Sequence, residues 1–429
     1  MFTLSPRKRK NDGRTSTGTD PVTKKIKCTS VSELIAQFSY SRLLNRKFSP
    51  QFVRESVDFV SSTLFRTLPV FSVDHYIDLA PVGLCVKKRE VVLSWFEYPE
   101  WPCLESAYRF LIKLVVTHKT DPRSARVFIR RSFVEKLLGL FHSEDERERG
   151  ALETLLTCIY NKFTDHRKFI RNRVFDIIRR VNDKNSAKHN GIPQLLFFLG
   201  GIVKDLDRSR IDEEFGASGQ FPLRALVPLF RSKWVLMFYP QLIGCIVEFV
   251  KKDQKIADRV ILGILSSWPL TADDPRECIF LDAVAGVFQW AKPAGFQRCI
   301  APVLQQVERC LSSPLFLVVE RALSLLQVVI VEAVKVRLPI KRKVEAILPT
   351  VFQGLVKVTM KHWRGKTRRL GKKMCKGLFP LLIRPEQNTS ATPMTASASL
   401  MGATRMEIDQ YPSTAAIQLE LPVYYYLAI

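Results

Sequence analysis

The chain of 429 residues is short of carboxylates: 41 aspartates and glutamates against 66 lysines and arginines leave a formal charge of +25 at neutral pH. Such an excess favours anionic partners, whether nucleic acid, acidic protein or anionic lipid, without choosing among them. Also missing is any run of about 18 uncharged apolar residues, which argues against a membrane span. The charged N-terminus is unlike a secretory signal, so an intracellular protein is expected. Nine cysteines stand singly, at 28, 85, 103, 158, 245, 278, 299, 310 and 375, with no C-x-x-C spacing. An odd, scattered set indicates neither a disulfide framework nor a zinc site, and most of these thiols are expected as small core residues.

Catalytic signatures are lacking too. The histidines at 75, 118, 142, 166, 189 and 362 show no H-E-x-x-H or other ligand spacing, and there is no G-x-S-x-G elbow or glycine-rich fingerprint. Arg364-Gly365-Lys366-Thr367 ends like a phosphate-cradling loop, but the glycine required at 360 is Met360 and no strand precedes it. A protein without enzymatic activity, metal or cofactor is the expectation.

What is present is helical periodicity. In residues 133–163, Phe133, Leu137 and Phe141 recur at i, i+4 and i+8, and Leu152, Leu155, Ile159 and Phe163 continue one stripe on a second segment. Ser143-Glu144-Asp145 between them supplies a helix start, with Ser143 able to cap and the carboxylates at the positive end of the helix dipole. A helix pair that buries only one face needs pairs like itself on both sides, so one pair implies an array.

Similar patterns run over 31–44, 52–65, 89–96, 102–118, 123–141, 146–163, 166–180, 191–206, 222–233, 238–251, 255–266, 275–290, 294–311, 315–335, 342–361 and 364–383, with no competing strand alternation. Pairs recur about every 40 residues, the period of HEAT and armadillo units, so an all-α solenoid of HEAT-like repeats over 31–384 is expected. Prolines in Trp101-Pro102, Asp121-Pro122 and Asp274-Pro275 mark helix starts, and Asn190-Gly191 marks a turn. Asp207–Gln220, with Gly216 and Gly219, is expected as a surface loop.

Residues 1–30 have almost nothing apolar to bury and read as a disordered basic tail, and 385–429 as a flexible tail whose segment 417–427 is apolar enough for weak docking. Within the first tail, Arg7, Lys8, Arg9 and Lys10 form a cluster of the nuclear-import type, so cytoplasm and nucleus are the expected locations. The densest basic stretch is 361–376, with Arg364, Lys366, Arg368, Arg369, Lys372 and Lys373. On a helix its charges are expected to surround most of the circumference, leaving a thin seam of Trp363, Leu370 and Met374. An anion-binding helix and a plain solvated helix are equally consistent with it.

Several phrases together resemble the B-prime family of regulatory subunits of protein phosphatase 2A. They include Leu64-Phe65-Arg66-Thr67-Leu68-Pro69, Trp101-Pro102, Ser143-Glu144-Asp145, Arg147-Glu148-Arg149, Phe169-Ile170-Arg171, His189-Asn190-Gly191-Ile192, Tyr239-Pro240-Gln241-Leu242, Trp268-Pro269, Val319-Glu320-Arg321-Ala322-Leu323 and His362-Trp363. They run collinearly over roughly residues 60–365. The resemblance implies a horseshoe of repeats, non-catalytic, that binds a phosphatase scaffold subunit and catalytic subunit and recruits substrate proteins through short linear motifs.

It further implies a groove for Leu-x-x-Ile-x-Glu peptides at Tyr160, Arg167, Phe198 and Ile202, and holoenzyme contacts on a connector containing Glu144, Asp145, Arg147, Glu148 and Arg149. Thr157 and Cys158 stand where the family pattern has His and Arg, and Phe198 replaces an isoleucine. Lys204, Arg208 or Arg210 are left to substitute for an altered loop lysine. Weakened or shifted motif binding is therefore expected. The alternative is a basic helical-repeat adaptor that binds nucleic acid or acidic proteins without phosphatase partners; an armadillo-type import receptor lacks its Trp-Asn ladders here.

Overall fold

A computed structural model of the chain describes residues 48–68, 100–117, 120, 125–181, 190–216, 221–269, 274–336 and 342–382. The expected tails, the Arg7–Lys10 cluster and the helical patterns at 31–44 and 89–96 lie outside the described residues. Every regular element among the described residues is helical. The helices are α1 Pro50–Leu64, α2 Trp101–Val116, α3 Arg131–Gly139, α4 Glu146–Lys162, α5 Arg167–Arg180, α6 Ile192–Asp205 and α7 Arg208–Phe215. They continue with α8 Tyr239–Lys252, α9 Ala257–Leu265, α10 Glu277–Phe288, α11 Pro293–Leu311, α12 Phe316–Val336, α13 Arg342–Lys361 and α14 Gly365–Leu382.

The packing resolves into two layers. From α2 onward each even-numbered helix lies against the next, from α2 on α4 through to α12 on α14. In the other layer α3 meets α5, and α9, α11 and α13 follow one another. Between α5 and α9 the second layer is filled by Pro222–Arg231, a π-helical turn run into a 3-10 turn. The expected helix at 222–233 therefore exists as irregular turns. Pro222 and Pro228 each lack an N–H, so a regular ladder cannot run through both. The two-layer stack is the all-α helical-repeat solenoid that the periodicity predicts.

Helix starts are built as their residues require. Ser49 accepts from the Phe52 N–H ahead of α1, and Pro50, Pro102 and Pro293 sit in first turns where no N–H is missed. At α4 the cap is Asp145, which accepts from the Arg147 N–H at 2.9 Å, in place of the expected Ser143. The Ser143 hydroxyl is turned inward and donates to Glu148. Asp274 repeats this arrangement, accepting the Arg276 N–H at 2.8 Å and pairing with its guanidinium.

Two glycines mark close approach. A Cβ on Gly191 would lie 2.5 Å from the Phe141 Cβ and 2.7 Å from its carbonyl oxygen, and one on Gly200 would just touch the Cys245 backbone at 3.5 Å. The first fixes the entry of α6, the second the seam between α6 and α8. Cys245 is buried in the second of these seams, and Cys299 and Cys310 are buried on α11. Burial pushes the Cys299 and Cys310 thiols up to about 12, which makes them inert packing groups.

Candidate peptide-binding site

The connector ahead of α4 is tied down from below. Glu148 is wholly buried, and its carboxylate accepts both guanidinium nitrogens of Arg66 at 2.8 and 2.9 Å, the Tyr108 hydroxyl at 2.9 Å and the Ser143 hydroxyl. Burial first, and then the Glu148 charge, push the Tyr108 hydroxyl well above its usual range. Arg149 is buried as well and donates to the Ser143 and Glu144 carbonyls at 2.8 and 2.9 Å. Of the five connector residues, Asp145, Glu148 and Arg149 thus face the fold, Glu144 is half-buried and Arg147 is exposed over the Trp101 ring. Asp145, Glu148 and Arg149 therefore spend their polar groups within the fold, and of the five expected contact residues Glu144 and Arg147 are the ones left at the surface.

Tyr160, Arg167 and Phe198 converge where α4, α5 and α6 meet. Phe198, 2% exposed, packs edge-on against Tyr160 with ring centroids 5.6 Å apart. Ile202, one turn on, is buried on the same face of α6. These two apolar residues are core in this conformation, so the groove that the resemblance implies is closed over them. Arg167 donates to the carbonyls of Tyr160 and Asn161 at 3.0 and 3.2 Å and lays its guanidinium 5.3 Å from the Tyr160 ring centroid, satisfying orphan carbonyls at the end of α4.

Sequence reasoning passed over the strongest cation of the site. Arg171, one turn after Arg167 and 7% exposed, donates to the Tyr160 hydroxyl at 2.7 Å and to Glu214 at 2.6 Å. The Tyr160 hydroxyl also donates to Glu214 at 2.9 Å. Burial raises the Tyr160 hydroxyl to about 12 despite Arg171, so it stays protonated and donates. The signal for Arg171 was its place in Phe169-Ile170-Arg171, where a cation at i+4 from Arg167 shares its helix face.

Glu214 comes from α7, the stretch expected as a surface loop. Ile211 and Phe215 bury one side of α7, and Phe215 joins Phe175, Phe221 and Phe249 at centroid distances of 5.9, 5.7 and 5.2 Å. That aromatic cluster turns an otherwise weak eight-residue helix into an ordered lid, ended by Gly216 at φ +81°. Arg210 lies 3.6 Å from Glu214, while Arg208 is engaged with Asp253 at 3.0 Å. At the positions of the missing His-Arg pair, Thr157 donates to Glu153 at 3.3 Å and Cys158 is half-buried. Burial raises the Glu153 carboxyl, so this side of the site holds an acidic group in place of two basic ones.

At the far end, the basic charges of α14 do not surround it. Thr367, Gly371 and Met374 form its buried face, Leu370 is half-buried, and Trp363 is exposed rather than part of the seam. Gly365-Lys366-Thr367 opens the helix, and the Thr367 hydroxyl donates to Glu320 at 2.9 Å. Among the described residues no group of three or more His, Cys, Asp or Glu side chains is placed to hold a metal ion, and no helix is long and apolar enough to cross a membrane.

Fold and site define a helical-repeat protein that seats a carboxylate on arginine and tyrosine between stacked helices. Comparison with known proteins gives the class a family. The family described as protein phosphatase 2A regulatory B subunit (B56 family) matches residues 14–380. The B' theta 57 kDa regulatory subunit of serine/threonine protein phosphatase 2A from Arabidopsis thaliana is 40% identical over 341 residues, 79% of this chain and 65% of that protein. The B' eta 59 kDa subunit of the same plant is 38% identical over 348 residues, 80% of this chain and 64% of that protein. The 56 kDa delta subunit from Oryctolagus cuniculus is 31% identical over 341 residues, 79% of this chain and 54% of that protein.

The chain belongs to the B56 family of protein phosphatase 2A regulatory B subunits. It spans 65% or less of the length of these three relatives. The family is regulatory, so the phosphatase chemistry is not this chain's own.

Proposed function

We propose that the protein is a targeting subunit of a protein phosphatase 2A holoenzyme, binding the scaffold and catalytic subunits and recruiting Ser/Thr phosphoprotein substrates through a peptide groove between repeats at α4, α5 and α6. The observation that carries this reading is the family match across residues 14–380. The way one carboxylate is already held supports it chemically. Arg171 and the Tyr160 hydroxyl hold Glu214, with the Arg167 guanidinium over the Tyr160 ring, and charge-assisted hydrogen bonds of this kind are about twice as strong as neutral ones.

Glu214 takes the seat that a peptide carboxylate would use. A substrate peptide must therefore displace α7 as well as bind, and the two polar anchors replaced by Thr157 and Cys158 are missing. Each lost charge-assisted bond costs about 1.5–3 kcal/mol, so ordinary motif affinity falls steeply in this chain. Fluorescence titration with a labelled Leu-x-x-Ile-x-Glu peptide tests the site. Weak binding that Glu214→Gln strengthens about tenfold, and Arg167→Glu removes, is the expected result. Affinity that neither substitution changes, in variants that melt like the parent, would move the substrate site elsewhere.

A further inference from the structure

The corner between α13 and α14 carries a combination that folding does not ask for. Val356, Met360 and Trp363 stand 41%, 74% and 72% exposed in sequence along one corner. The Trp363 ring is held rather than loose: the Phe316 ring meets it edge-on at 5.7 Å and His362 stacks beside it at 5.9 Å. Arg364 lies 4.7 Å from the Phe316 centroid and pairs with Glu320 at 3.4 Å, and Thr367 holds the same carboxylate. The turn is thus braced from α12 while its largest apolar side chain stays in water.

Immediately beyond, Lys366, Arg368, Arg369, Lys372, Lys373 and Lys376 are all exposed on α14. At 100° per residue they cover about 160° of the helix, opposite the buried face of Thr367, Gly371 and Met374. Lys357 and Lys361 add two more exposed cations on α13. From Lys361 to Leu382 there is no aspartate or glutamate to neutralise them.

We propose that this corner is a contact for anionic lipid bilayers, with Val356, Met360 and Trp363 entering the headgroup boundary and the cationic face of α14 lying along the acidic headgroups. Tryptophan and aliphatic side chains beside clustered Lys and Arg are the composition of interfacial helices. Single-stranded nucleic acid stacks its bases on successive exposed aromatic platforms, whereas at this corner Trp363 is the exposed ring, its ring neighbours Phe316 and His362 are half-buried, and the other exposed apolar side chains are Met360 and Val356. A protein partner's interface core is depleted in lysine, which dominates this face. The proposal does not depend on the phosphatase reading.

Sedimentation of the full chain with phosphatidylcholine vesicles, with and without about 30% phosphatidylserine, tests it. Partition into the anionic vesicles alone is expected, declining as salt rises. Each surface cation is worth about fivefold, so Lys366→Glu, Arg369→Glu, Lys373→Glu and Lys376→Glu together lower partition at least a hundredfold. Met360→Ala with Trp363→Ala leaves the charge intact and lowers it about tenfold. Circular-dichroism melting confirms that both variants fold. Failure to bind anionic vesicles, binding undiminished by the four reversals, which assigns it to the basic N-terminal segment, or equal binding to neutral vesicles overturns the proposal. So does tighter, Trp363-dependent binding of a single-stranded oligonucleotide.

Discussion

At the scale of single residues, buried charge decides what the chain can and cannot do. Glu148 accepts from Arg66, Tyr108 and Ser143 with no exposure of its own, so it joins the stretch after α1 to α2 and α4. Removing one partner of such a cluster strands the others. Glu148→Ala is expected to cost about 3–5 kcal/mol in urea unfolding, while Arg147→Ala, on the surface beside it, costs under about 1 kcal/mol. Equal effects would mean that the cluster is solvated.

Asp282 gives the pH dependence a sign. Burial raises its carboxyl to about 6 although Arg321 pulls the other way from 3.4 Å. A carboxyl raised on folding holds its proton longer in the native state, so its stabilisation is present below about pH 4 and is lost as pH climbs to 6 and beyond. The loss is at most about 3 kcal/mol. Asp282→Asn is expected to flatten the stability profile between pH 4 and 7 relative to the parent. Parallel profiles would place Asp282 in solvent.

At the scale of elements, most of the fold was legible because it rests on long amphipathic stripes. The periodicity predicts 146–163, 191–206, 294–311 and 342–361, and the helices run Glu146–Lys162, Ile192–Asp205, Pro293–Leu311 and Arg342–Lys361. α7 was not legible: eight residues with Ile211 and Phe215 as the buried pair show barely two turns of pattern. Its order comes from Phe221 just beyond it and from Phe175 and Phe249, which are distant in sequence.

The same limit hid half of the candidate site. Tyr160, Arg167 and Phe198 are named through what the family resemblance implies, whereas Arg171 acquires its role only when Glu214 arrives from α7. Burial of Glu148 and Arg149 was equally invisible, because a connector rich in charge reads as surface until Arg66 and Tyr108 are brought beneath it. Gly191 is the element-scale test of the stack. A methyl there collides with the Phe141 backbone and side chain, so Gly191→Ala is expected to cost about 2 kcal/mol or more by displacing α6. Unchanged stability would show that α6 and the Leu140–His142 turn slide freely.

At the scale of the whole molecule, two layers of helices carry different chemistry at separate places. Between α4, α5 and α7 the Glu214 carboxylate is held by the buried Arg171 and the Tyr160 hydroxyl, and the α13–α14 corner offers cations and a tryptophan to solvent. The proposed targeting role needs such separate surfaces, one for the substrate and others for the assembly or its location. The formal charge of +25 sharpens the choice between the two functional readings. An adaptor held by charge alone loses its ligand as ionic strength rises, whereas a holoenzyme joined over a broad mixed interface does not.

The most direct measurement is size-exclusion chromatography of the purified chain mixed with the phosphatase scaffold and catalytic subunits at micromolar concentration, in about 0.1 M and 0.5 M salt. The account predicts one co-eluting ternary complex at both salt concentrations. Separate elution of a folded chain from the scaffold and catalytic pair, at either salt concentration, would contradict it.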